Sequence, residues 1–125
     1  MIYGIGTDLV EVSRIDKILQ RWGEQFVTKV FTPVESDYCK RRAFPPIHFA
    51  ARFAAKESFL KSLGIGLGMG VGLRDIEMIN DQQGKPLLRL YKRAEDILRK
   101  SEITAVHVSV THTRKYASAV VVLEK

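Results

Sequence analysis

The period of the apolar positions changes several times along this 125-residue chain, and each change predicts a new element. Residues 2–8, "IYGIGTD", read as a strand that ends among Gly4, Gly6 and Asp8. Ile15, Ile18, Leu19 and Trp22 then recur at i, i+3, i+4 and i+7, the apolar face of a helix. Ser13 followed by Asp16 predicts a capping box at its start, and Arg14, Lys17 and Arg21 occupy much of the opposite surface. Thr32-Pro33-Val34-Glu35 is a stronger start signal, with a capping Thr, Pro at the first helical position and Glu three residues after the cap. That helix is predicted to run to about Ala43, where Pro45-Pro46 ends it. Residues 47–63, "IHFAARFAAKESFLKSL", are alanine-rich and free of glycine and proline. They predict the longest helix, with Gly64 at its C-terminal cap.

"GIGLGMGVG", residues 64–72, carries glycine at every second position. A dinucleotide fingerprint needs glycine where Met69 or Val71 stands, and no Lys-Ser/Thr pair follows for a P-loop. A flexible connection or a close backbone approach is the better reading. Beyond it, "RDIEMIN" alternates and leads through "DQQGK" into "PLLRLY", a hairpin signal. A short helix over about 92–100 places Ala94, Ile97 and Leu98 on one side. "AVHVSVTHT" and "YASAVVVLE" are β-rich runs joined at Arg114-Lys115, a second hairpin. The order strand, helices, strands, helix, strands predicts an α+β fold, an antiparallel sheet packed against a long central helix and shorter helices. With no repeat, low-complexity tail or linker, residues 1–125 are expected to form a single domain.

A hydrophobic content of 46% with 27% charged residues excludes a disordered chain. The formal net charge of +6 predicts attraction to something acidic: nucleic acid, a phosphorylated ligand, an anionic membrane or an acidic protein. Cys39 is the single cysteine, so no internal disulfide is possible, and with no neighbouring histidine it reads as structural. No apolar run approaches the ~18 residues of a membrane span, and "MIYGIGTD" has no basic leader with a long apolar stretch. The expected location is the cytoplasm.

Two carboxylates stand out. Asp8 at the strand end has an ordinary use in a turn or cap. Glu57 shares a helical face with Phe53 and Leu60, so it needs a cation, a hydrogen-bond donor or a metal. Lys61, one turn on, offers a plain i, i+4 ion pair. Taken together, two acids from separate elements are a typical magnesium set, because magnesium retains waters and takes further ligands from substrate phosphates. His48, His107 and His112 are not at zinc-ligand spacing. A hard cation beside Arg52, Lys56 and Lys61 suits a pyrophosphate substrate.

"GIGTDLVEVSRI", "RFAAKESFLKSLGIG", "GKPLLRL" and "HVSVTHTRKYASAVVV" together closely resemble the holo-acyl-carrier-protein synthases, the small 4′-phosphopantetheinyl transferases. The likeness runs from Ile2 to about Leu123 in the family's order and spacing. It implies that Asp8 and Glu57 are the Mg2+ ligands. It also implies transfer of the phosphopantetheine arm of coenzyme A to a serine of acyl carrier protein, releasing adenosine 3′,5′-bisphosphate and supporting fatty acid biosynthesis. A homotrimer with active sites between subunits is implied as well. "GIGLGMGVG" is richer in glycine than the family's usual loop, and "RRAFPPIHF" falls in a variable region. On this basis Asp8, Glu57 and Lys61 are the catalytic candidates, with Lys61 a second cation on the phosphates and Glu57, directly or through a water, the acceptor of the serine proton. His112, at a strand end, is the candidate contact to coenzyme A. Arg14, Lys17 and Arg21 are candidates to dock the acidic carrier.

Two rivals share some of these features. A nucleic-acid-binding module accounts for the charge, but the chain shows neither a recognition helix nor aromatics interleaved on a strand platform. A metal-dependent phosphohydrolase uses the same two carboxylates and needs no carrier protein.

Overall fold

The computed structural model describes residues 1–64 and 70–125. The described elements, in order, are β1 (Ile2–Glu11), α1 (Val12–Trp22), α2 (Glu24–Val30), α3 (Pro33–Lys40), α4 (Pro45–Ser62), β2 (Ile76–Asn80), β3 (Pro86–Leu90), α5 (Lys92–Lys100), β4 (Ala105–His112) and β5 (Tyr116–Glu124). A 3₁₀ turn, Leu73–Asp75, precedes β2. β5 is the middle strand of a sheet ordered β1-β5-β4, and β2 and β3 form a separate hairpin. All pairs are antiparallel, so the architecture is the predicted α+β one.

Where boundaries differ from the pattern, tertiary pairing decides. β1 stays in register with β5 as far as Glu11 opposite Tyr116, and the Val12 N–H donates to Lys115 O at 2.8 Å. Strand therefore continues three residues beyond Asp8, and Ser13 lies inside α1 rather than at its cap. The α2 helix had no counterpart in the pattern; its short apolar pair, Val27 and Val30, is buried. Gly23, at φ +52°, turns the corner into it, with its N–H bonded to Leu19 O. The Thr32 capping box forms as predicted, with Thr32 N donating to Glu35 Oε1 at 3.0 Å. α3 ends at Lys40, earlier than expected, and Pro45 and Pro46 open α4 instead of closing α3. Proline is at home in a first helical turn, where its missing N–H had no partner to lose. Gly64 adopts φ +73° just past α4, and residues 65–69 of the glycine-rich stretch lie outside the described residues.

α4 is buried on most of its circumference, as its alanines and phenylalanines require. It lies so close to β1 that a Cβ on Gly4 or Gly6 would stand 1.9 Å from Ser62 O or Ser58 O. Those two glycines thus set the helix-to-strand distance. Beside β1, Ser58 Oγ donates to Ala119 O at 3.1 Å, joining α4 to the neighbouring strand β5.

The other side of α4 is fixed by polar groups. Lys56 is fully buried, and its Nζ donates to Glu35 Oε1 at 2.7 Å, to Leu73 O at 2.9 Å and to Ile76 O. Burial lowers the Lys56 ammonium below the usual lysine range, and the Glu35 carboxylate opposes that shift. Glu35 Oε2 in turn accepts from Met78 N at 3.0 Å. Thr32 Oγ1 and the Tyr91 hydroxyl both donate to Glu77, completing a network across α3, α4, β2 and the start of α5. The Cys39 thiol is buried nearby and pushed up to about 12, chiefly by burial, which keeps it protonated and inert.

Gly6→Ala is expected to lose about 3 kcal/mol of stability or more, because the Cβ meets backbone and not a mobile side chain. Lys56→Met should cost about 3–5 kcal/mol by stranding Glu35, and adding Glu35→Leu should recover much of that loss. Urea titrations of the three variants check both. A double variant as weak as Lys56→Met would show that the pair acts through something other than its charges.

Candidate active site

The strand-to-helix junction that opens the chain delivers Asp8 to the inner face of the sheet. On β1, Gly6 and Val10 are buried, while Ile5, Thr7 and Leu9, which alternate with them, are exposed. Alternation therefore turns Asp8 toward α4, and only 16% of its side chain is exposed. From the C-terminal turn of α4, Lys61 reaches across and places Nζ 2.9 Å from Asp8 Oδ1 and 3.1 Å from Thr7 O. Glu57 lies one turn earlier and is half-buried. Its carboxyl is raised above the usual range, first by burial and then by the negative charge of Asp8, with Lys61 pulling it back. Two carboxylates and one ammonium therefore share one corner between β1 and α4. The i, i+4 ion pair open to Lys61 within α4 gives way to one with the strand.

This donor set fits magnesium. Among the described residues no group of three or more His, Cys, Asp or Glu side chains could hold a metal, so a softer, fully protein-ligated ion has no cage. Two carboxylates whose charges already oppose each other suit a hard ion that takes its other ligands from water and phosphate oxygens.

The remaining predicted cations part company. Lys56 is consumed by the core network and Arg52 points elsewhere, donating through Nη2 to Asn80 Oδ1 at 3.0 Å. Of the three cations expected around the ion, only Lys61 stays with the carboxylates. Arg14, Lys17 and Arg21 are exposed on α1, and the Arg21 guanidinium lies 5.2 Å from the exposed Trp22 ring. Trp22 was expected on the core face, yet half of it faces solvent.

His112 belongs to a second cluster. Its ring meets His48 edge-on with centroids 5.9 Å apart, and His48 meets Tyr38 at 6.1 Å. Arg42 and Arg52 both lie over the Tyr38 ring, at 3.9 and 4.1 Å. Tyr38, Arg42, Arg52, Asn80 and Asp81 line a groove of about 400 Å3. Sequence reasoning missed this cluster. Its one signal was His48 and Arg52 at i, i+4 on the α4 face away from Glu57, set beside the basic run Lys40-Arg41-Arg42.

In metal-free protein, Asp8→Asn removes the second cause of the raised Glu57 carboxyl and frees Lys61 to approach it. The Glu57 side-chain carbon should therefore titrate at lower pH than in wild type, as read by NMR. An unchanged titration would mean that the two acids do not share a field.

A family model described as the 4′-phosphopantetheinyl transferase superfamily matches residues 4–121. A holo-[acyl-carrier-protein] synthase of Syntrophus aciditrophicus is 59% identical over 124 residues, covering 99% of this chain and 97% of that protein. The crystal structure of a holo-[acyl-carrier-protein] synthase from Neisseria meningitidis superposes with a TM-score of 0.92 at 35% identity, covering 100% of both chains. One from Bacillus anthracis, in complex with CoA (3′,5′-ADP), gives 0.83 at 36% identity and covers 100% of this chain and 98% of that one. The fold, the family match and these full-length likenesses together place this chain in the 4′-phosphopantetheinyl transferase superfamily, as a member of its holo-[acyl-carrier-protein] synthase family.

Proposed function

We propose that this protein transfers the 4′-phosphopantetheine group of coenzyme A to a serine of apo acyl carrier protein, with Asp8 and Glu57 as magnesium ligands. The observation that carries the site assignment is the shared corner of Asp8, Glu57 and Lys61, with Lys61 Nζ 2.9 Å from Asp8. In the reaction the serine oxygen bonds to the β-phosphorus, the bond from that phosphorus to the oxygen shared with the α-phosphate breaks, and adenosine 3′,5′-bisphosphate leaves. Bound magnesium offsets the negative charge that grows on the phosphoryl and leaving oxygens. Lys61 supplies a second, mobile cation to the same oxygens. Glu57 is the candidate to take the serine proton, directly or through a water. His112 contacts coenzyme A, in a setting made cationic by Arg42 and Arg52.

Nothing acidic pairs with Arg14 or Lys17 within 4.0 Å among the described residues, which leaves α1 a basic surface for an acidic carrier. The outer face of β1 carries exposed Tyr3, Ile5 and Leu9, the last two 57% and 65% exposed. An apolar strand face of this kind, on an edge strand, supports assembly into the homotrimer. Such assembly offers a route for His112 of one subunit to serve the carboxylates of another. A buried lone thiol suits a reducing cytoplasm.

Mixing the protein with magnesium, coenzyme A and apo carrier should add one phosphopantetheine group to the carrier, read by mass spectrometry. Chelator, Asp8→Ala and Glu57→Ala should each lower the rate by about a hundredfold or more. An unchanged carrier mass with folded protein would falsify the activity. Arg14→Glu with Arg21→Glu should raise the KM for carrier about tenfold and leave coenzyme A binding nearly intact; equal losses for both substrates remove the docking surface. Sedimentation should give three chains per particle, and Leu9→Glu should yield monomers with little activity; a fully active monomer removes the trimer.

A further inference from the structure

Away from the Asp8 corner and the buried Lys56 network, a further group of polar chemistry is the stack from Arg42 to His112. Tyr38 comes from α3, Arg42 from the loop after it, His48 and Arg52 from successive turns of α4, and His112 from the end of β4. His48 is the middle member. Its ring crosses Tyr38 at 74° and His112 at 71°, both edge-to-face, the arrangement aromatic quadrupoles favour. Tyr38 is itself held by the two guanidinium groups over its ring. The exposed His112 therefore leans on a half-buried ring that is braced from behind.

The charges around His48 have one sign. Burial first, and then His112, Arg52 and Arg42, hold its imidazole below the ordinary histidine range. Asp81 lines the groove beside Tyr38, Arg42 and Arg52, but its Oδ1 accepts the Gln83 and Lys85 N–H groups of its own turn. Arg52 is 2% exposed, and its Nε has no hydrogen-bond partner among the described residues. A phosphate anion settling against this cluster reverses the field at His48 and makes a proton there favourable.

We propose that His48 is a positioning residue for His112, and the group through which phosphate-ester binding beside His112 takes up a proton from solvent. The proposal rests on the coenzyme A contact assigned to His112 above. His48 then links donor affinity to pH, and the affinity rises as pH falls toward the range where the bound state holds the extra proton.

Two substitutions separate the roles. His48→Phe keeps a ring against His112 and cannot take a proton, whereas His48→Ala removes both. Coenzyme A is titrated calorimetrically into wild type and both folded variants around neutral pH, in two buffers of different ionisation enthalpy. Wild type should take up more protons per coenzyme A bound than His48→Phe, and its affinity should climb more steeply as pH falls. His48→Ala should bind about fivefold more weakly than His48→Phe, the size of one aromatic contact, with the loss in KM rather than kcat. Equal proton uptake in wild type and His48→Phe overturns the coupling, and equal affinity of the two variants overturns the positioning. Wild type that does not bind coenzyme A brings down the donor contact itself, which is visible before any variant is made.

Discussion

The buried ion pair between Lys56 and Glu35 is the constraint on which the geometry depends. Its ammonium fills its three hydrogen bonds with one carboxylate and two backbone carbonyls, so α4 is clamped to α3 and to the segment that leads into β2. A helix held at one residue has its rotation set for all of them. With Lys56 facing that layer, Glu57 is carried about 100° round the helix, toward β1. The glycines of β1 then fix how near the strand comes, and Asp8 is presented on the matching face. A pair of this kind contributes specificity more surely than stability, since desolvating two charges costs much of what their attraction returns.

α4 is consequently an organiser with different chemistry on different sides. One side carries Glu57 and Lys61 to an acid from the sheet. Another carries His48 and Arg52 to the aromatic and cationic stack. The alanines between them keep the helix thin enough for strands and helices to close around it. The two clusters lie on different faces of the same helix.

Local signals carried much of this fold. The Thr32 box, the α4 run and both hairpins rest on short-range propensity and periodicity, and all form close to where the pattern puts them. Asp8 and Glu57 drew attention because a carboxylate on an apolar face needs a partner, although spacing alone could not bring them together. Other features were illegible for physical reasons. The extension of β1 to Glu11 depends on Tyr116, more than a hundred positions away. Lys56 looked like a phosphate cation because nothing in its neighbours announces Glu35 twenty-one residues earlier as its partner. The prolines at 45 and 46 are equally good stops and starts, and only the packing of Phe49 and Ala50 selects the second. Tyr38, Arg42, Arg52 and His48 come from three segments, and their stacking is a product of tertiary contact.

The contact between Lys61 and Asp8 has a thermodynamic corollary. In the metal-free protein the ammonium stands in as counter-ion to a carboxylate that a divalent cation would claim. If a divalent cation takes Asp8, as proposed, it displaces the lysine, and a released lysine on a short tether is a free positive charge beside the ion. Metal and phosphate would then be linked ligands, each making the other's arrival more favourable by the same factor in both directions. On the proposed function, a site that rests in this way would disfavour either one alone, and a preference for a metal-bound pyrophosphate over a bare ion or a bare phosphate would follow from that single exchange of partners.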